Sequence, residues 1–151
     1  MAAYADVRLL DAAFDPAAEL AAFTGRFGSA GGVVSFLGQV RAEPGDPVLA
    51  LELRHYAPLT LPGMIALARA AHERWALEGL LVLHRHGVMG PGDPIVLVAS
   101  AARHRRDAFA AAEFVMDHLK SDSWFWKREK TAAGWRWIEP RAQDFTDRAR
   151  W

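Results

Sequence analysis

Residues 80–100 read LLVLHRHGVMGPGDPIVLVAS, and this stretch decides the fold class. Leu80 to His86 and Ile95 to Ser100 are apolar runs of strand length. Between them, Gly90-Pro91-Gly92-Asp93 has the chemistry of a turn: glycines that accept positive φ, a proline that pre-sets its own φ, and an aspartate that bonds nearby backbone. Strands joined by so short a connection pair antiparallel, because a parallel partner needs a long crossover.

Working outward, a long helix is expected from about His104 to Lys120. Trp124–Lys130 and Trp135–Glu139 read as a hairpin around Gly134, and Arg141–Arg150 as a last helix. Upstream, Met64, Leu67, Ala68, Ala71 and Trp75 have helical spacing within Pro62–Trp75. Gly31–Val40 and Val48–Tyr56 read as strands, with a turn at Glu43–Asp46 between them. Val7–Leu10 is a short strand interrupted by Arg8. Asp15-Pro16 has the form of an N-cap and first-turn proline, opening a helix through Leu20 and Phe23 that stops near Gly25 or Gly28. Helices and hairpins in this order predict an α+β fold with a mostly antiparallel sheet and packed helices, rather than a doubly wound parallel sheet. No repeat, low-complexity tract or long linker divides residues 1–151, so a single domain is expected.

Composition narrows the function. Basic and acidic residues number 18 each, giving a net charge of zero, so no global field favours nucleic acid. With no cysteine, disulfides, thiolate metal sites and a thiol nucleophile within this chain are excluded. No apolar run has the length of a membrane span and the N-terminus lacks a signal-peptide core, so a soluble cytoplasmic protein is expected.

Three features carry possible chemistry. Arg103-His104-Arg105-Arg106 opens the long helix, at the end where free N–H groups already make the potential positive. Such a start either is solvated or binds an anion, since N–H groups and guanidinium forks both suit phosphate. On the same helix Phe109, Ala112, Met116 and Leu119 are expected to form one apolar face, with Arg105 and Lys120 in or beside that sector. A lysine there either snorkels from the core edge or lines a pocket, where desolvation among cations would lower its pKa. Trp124-Phe125-Trp126-Lys127-Arg128-Glu129-Lys130 could stack a flat heterocycle and neutralise its phosphate, or could be a strand with one core face and one solvated face. His84-Arg85-His86 has alternating histidines but no acidic partner within the segment, which favours a structural role over a metal site.

Taken together these segments resemble the large, catalytic subunit of molybdopterin synthase. The resemblance rests on Gly32-Val33-Val34-Ser35-Phe36-Leu37-Gly38-Gln39-Val40-Arg41, on Leu83-His84-Arg85-His86-Gly87 with Gly92-Asp93, and on His104-Arg105 with Ala108-Phe109. Its most specific piece is Met116-Asp117-His118-Leu119-Lys120 followed by Phe125-Trp126-Lys127-Arg128-Glu129, and it runs from about Gly31 to Trp151, with a looser match before it.

The resemblance implies a hammerhead-like α+β fold and a sulfur transfer with no bound cofactor or metal. Cyclic pyranopterin monophosphate becomes molybdopterin as two sulfurs are installed as a dithiolene. They arrive as a thiocarboxylate on a small ubiquitin-like subunit, and two large subunits form the central dimer of a heterotetramer. By position, Lys120 and Lys127 match the family's catalytic lysines, which also contact substrate, and Arg41, His104 and Arg105 match its substrate-binding cations. Gln39, Val40, Arg128 and Glu129 lie beside them as further candidate substrate contacts. Gln39 stands where relatives often carry lysine, and Arg54 where an acidic residue is common. Two other readings remain at this level: a non-catalytic binder of a phosphorylated heterocycle, and a structural protein whose aromatic C-terminal segment packs an interface.

Overall fold

The computed structural model describes residues 4–41, 48–122 and 124–151; the turn expected at Glu43–Asp46 lies outside them. In chain order the elements are β1 (Tyr4–Leu10), α1 (Pro16–Arg26), β2 (Gly32–Gln39), β3 (Ala50–His55), α2 (Ala57–Arg74) and β4 (Leu77–Arg85). They continue with β5 (Gly87–Met89), β6 (Pro94–Ala102), α3 (Arg105–Ser121), β7 (Phe125–Thr131), β8 (Gly134–Ile138) and α4 (Ala142–Arg148). The α+β class stands, in two four-stranded sheets ordered β1-β4-β6-β2 and β5-β3-β7-β8.

The pairing of β4 with β6 is antiparallel as read, with Leu83 opposite Leu97 and His84 opposite Val96. The connection holds more than a turn. At Gly87, whose φ of +100° suits a residue without Cβ, the chain leaves the first sheet. Gly87–Met89 then pairs with Leu51–Leu53 of β3 in the second sheet. A three-residue strand carries too little pattern to be seen in sequence. β1 runs parallel to β4, against the antiparallel expectation; no hairpin joins them, so the short-turn argument never applied there.

β4 and β6 read as continuous apolar runs because both faces are covered. Leu80 and Val82 face α2 and α3, packing with Met64, Leu67, Val115 and Leu119. Leu81 and Leu83 face the other way, toward Phe23 of α1. A smaller core of Val40, Leu51, Leu53 and Met89, with Ile95 against it, joins the two sheets. Among the described residues no helix is long and apolar enough to cross a membrane.

Asp15 caps α1 as expected, accepting from the N–H groups of Ala17 and Ala18 at 3.0 and 3.2 Å. α2 begins at Ala57, five residues before the start read at Pro62. Pro58 sits in the first turn, where a missing N–H costs nothing, whereas Pro62 lies inside the helix. The apolar face of α3 also needs correction. Its buried residues are Ala108, Ala111, Ala112, Phe114, Val115, Leu119 and Ser121, while Phe109 is 57% exposed. Alanines bring the helix close to the sheet, and their small contrast with neighbouring positions misplaced the face.

Candidate active site

A cavity of about 520 Å³ opens between the end of α3, the inner face of the second sheet and the start of α4. β2 delivers Gln39, Val40 and Arg41 to it. That edge is fixed by bonds from Val40 N–H to Asp93 O (2.9 Å) and from Gly92 N–H to Val40 O (2.8 Å). Strand alternation in β7 presents Phe125, Lys127 and Glu129 inward. Lys120 enters from the last turn of α3, where the helix dipole favours a cation. Arg136, Ile138, Glu139, Pro140, Arg141 and Asp144 close the rim from β8 and α4.

Six of the nine predicted site residues therefore share one wall system: Gln39, Val40, Arg41, Lys120, Lys127 and Glu129. Three do not reach this cavity. Arg128 points to the opposite face of the sheet, where it donates to Glu52 at 2.6 Å and holds that carboxyl below its usual pKa range. Its guanidinium carbon also lies 4.3 Å from the ring centre of Trp135. His104 and Arg105 are exposed at the other end of α3. Fifteen residues of helix separate Arg105 from Lys120, roughly 22 Å at 1.5 Å per residue. The aromatic segment is divided likewise: Phe125 lines the cavity, while Trp126 is 49% exposed outside.

The acidic groups of the wall are largely engaged. Glu129 pairs with Arg136 at 3.2 Å, Asp144 with Arg141 at 3.7 Å, and Asp122 with Arg148 at 2.9 Å. Lys120 and Lys127 have no ion pair among the described residues. Lys120 is exposed to solvent on the side of the cavity, while protein surrounds the rest of its side chain. Its pKa is lowered first by burial, then by the charge of Lys127, with Arg141 and Arg41 adding and Asp144 opposing. A lysine so placed has its amine form available at lower pH than a lysine free in water.

Sequence reading missed His84, Arg136, Arg141 and Asp144. For His84 the available signal was parity, since it shares a face of β4 with Leu80 and Val82 and so points toward α3. Its ring stacks on Phe125 with centres 4.0 Å apart, whereas His86 packs on His55 at 4.3 Å. No local signal marked the other three, which reach the rim through the docking of β8 and α4.

A profile of the MoaE protein family matches residues 9–122 of the chain. The chain belongs to the MoaE protein family. The match begins before Gly31, in the stretch where the motif resemblance is looser. Full-length relatives cover the segment beyond residue 122 that holds Lys127 and Glu129. The molybdopterin synthase catalytic subunit of Ralstonia nicotianae is 46% identical over 146 residues, 96% of this chain and 83% of that protein. The subunit of the same name from Caulobacter vibrioides is 45% identical over 145 residues, 96% of each chain. Among solved structures, the molybdopterin biosynthesis MoaE protein from Burkholderia ambifaria superposes with a TM-score of 0.81 at 41% identity, covering 97% of each chain.

Proposed function

We propose that this chain, acting as one domain in the cytoplasm, is the catalytic subunit of a molybdopterin synthase. It transfers sulfur from a thiocarboxylated small subunit to cyclic pyranopterin monophosphate. The observation that carries the reading is Lys120, lowered in pKa and beside Lys127, in a cavity that Arg41 also lines. Fixed cations there suit a phosphate and a partner's thiocarboxylate. Lys120 supplies an amine for nucleophilic or proton-transfer work, and Lys127 balances developing negative charge. The chain has no cysteine, so its sulfur has to come from a partner. The extended C-terminal tail of a small subunit would enter at the rim formed by Arg136, Glu139 and Arg141.

The reading includes a homodimer. β2 is an edge strand, and Phe36, Leu37 and Phe109 on this flank are 43%, 39% and 57% exposed. α3 follows β2 along its length. Arg105 Cα lies 3.7 Å from where a Cβ on Gly32 would be, and Lys120 shares the cavity with Gln39 at the strand's other end. Antiparallel pairing of β2 with its copy about a two-fold axis would exchange these ends. The partner's His104 and Arg105 would then stand beside Lys120, supplying the two predicted cations this chain's own cavity lacks.

The deciding experiment is reconstitution with cyclic pyranopterin monophosphate and a thiocarboxylated small subunit. Formation of the dithiolene product supports the proposal. Tight pterin binding without sulfur transfer would instead make the chain a non-catalytic binder.

A further inference from the structure

We propose that His84 is a specificity-determining residue of the cavity, its Nε2 accepting a hydrogen bond from a ring N–H of the bound heterocycle. This rests on the pterin reading above and adds the feature by which the ring, as distinct from its phosphate, is recognised.

The geometry fixes the tautomer. His84 Nδ1 lies 3.0 Å from the carbonyl oxygen of Arg85. A carbonyl only accepts, so Nδ1 carries the proton and Nε2 keeps its lone pair. Stacking on Phe125, with ring planes 19° apart, holds the imidazole in place. His84 is 7% exposed, yet its Nε2 is not sealed in. The buried side-chain nitrogens and oxygens without a partner among the described residues are His55 Nδ1 and Arg85 Nε. Nε2 has no hydrogen-bond partner among the described residues and is not one of those sealed atoms, which leaves it open to the cavity that His84 lines.

Electrostatics keep it an acceptor. Burial pushes the His84 pKa down to about 4; the charges of Lys120 and His86 act in the same direction, and the Arg85 carbonyl opposes them. At neutral pH the ring is uncharged and cannot turn into a donor. The cations of the wall, by contrast, only donate, and Glu129, Asp144 and Asp122 are engaged by arginines; the other acceptor side chains, Gln39 on the β2 edge and Glu139 at the rim, stand away from the apolar floor. Donors suit phosphate and carbonyl oxygens, whereas a ring N–H needs an acceptor. Around His84 the floor is apolar, with Val96, Met116, Leu119 and Phe125, while Arg136 and Arg141 are exposed at the rim. A flat ring therefore seats inward against His84 and its phosphate stays outward among the cations.

The test compares wild type, His84→Phe and His84→Gln in titrations with cyclic pyranopterin monophosphate, inorganic phosphate and a ring-N-methylated pterin phosphate. Phenylalanine keeps the stack and removes the acceptor; glutamine restores an acceptor oxygen. The expected result is about 10- to 100-fold weaker pterin binding in His84→Phe, a size set by one buried hydrogen bond. Phosphate affinity should be unchanged and His84→Gln should recover part of the loss. Wild type should discriminate against the methylated ring by a similar factor, a readout independent of how either variant folds. In the free protein, 15N NMR should show the Nδ1–H tautomer, uncharged at pH 7. A folded His84→Phe that binds the pterin as wild type does, equal binding of the methylated ring, or an Nε2–H tautomer overturns the role of His84 and leaves the functional reading standing. Failure of wild type to bind the pterin phosphate at all would instead overturn that reading, and this one with it.

Discussion

Lys120 carries a stability penalty alongside the chemical use proposed for it. Its ammonium is disfavoured by burial and by Lys127, so its folded pKa lies below the 10.5 of an unfolded lysine. Between those two values the unfolded chain binds more protons than the folded one, and stability rises with pH. Below the folded pKa the penalty is present in full. Solvent screens much of this penalty on an exposed side chain, so Lys120→Met is expected to melt only slightly higher than wild type near neutral pH, with the gap closing as pH rises toward 10.5. The same variant should lose product formation by about 100-fold or more, the scale of one proton-transfer group. Melting curves and single-turnover assays check the two halves, and near-normal turnover would remove Lys120 from the chemistry. Much of this wall was legible in sequence because its residues sit on regular elements whose phase can be counted. Lys127 and Glu129 differ by two on a strand, and so share a face. The same count, applied strictly, would have sent Arg128 to the far side. In sequence, His84 reads as structural rather than as a metal ligand, but its neighbour in the fold, Phe125, is 41 positions away in the chain. No local pattern contains that stack.

At the scale of elements, α4 has no buried residue and is held by its ends. Arg148 reaches Asp122 at 2.9 Å and Arg150 reaches Asp117 at 2.7 Å. Trp151 donates its indole N–H to Asp117 at 2.6 Å and packs edge-on against Trp75 and Phe114, with ring centres 5.5 and 5.7 Å away. α4 carries Asp144 to the cavity rim, with Arg141 just before it, so this anchor positions two groups that bear on Lys120. Trp151→Ala is expected to destabilise the protein by about 2 kcal/mol, less than a fully buried tryptophan would. It should also speed amide exchange in α4 before the rest of the chain. Unchanged exchange in residues 142–148 would show that the ion pairs alone hold the helix. The helix itself was readable from its sequence, but its docking was not, because the contacts come from α2 and α3. α2 and β5 teach the same lesson. Pro62 reads as a helix start, yet Pro58 fills that role, while Thr60 bonds Trp124 O at 2.9 Å and ties the early turns to the strand side. β5 exists through its pairing with β3, not through any pattern of its own.

At the scale of the molecule, the predicted cations of α3 lie at opposite ends of a helix about 25 Å long. One pterin phosphate is too short to touch Arg105 and Lys120 of a single chain easily, even with long side chains reaching inward. The proposed two-fold pairing through β2 would resolve this, since each pocket would then draw Lys120 from one copy and Arg105 from the other. Phe109 is 57% exposed, so Phe109→Glu should leave the monomer folded, and sedimentation should show the dimer weakened. The stronger test mixes two inactive chains, Arg105→Ala and Lys120→Ala, after dissociation and reassociation. If pockets are shared, each mixed dimer has one pocket with both residues intact and one with neither. Random association makes half of the dimers mixed, so activity should return to about a quarter of the wild-type value. If each pocket draws both residues from its own chain, every pocket in every dimer carries one defect, and no activity returns. Verified mixed dimers that stay inactive would therefore dismiss the shared site. Since Arg105→Ala is inactive alone, Arg105 and Lys120 would then both have to serve a pocket within one chain.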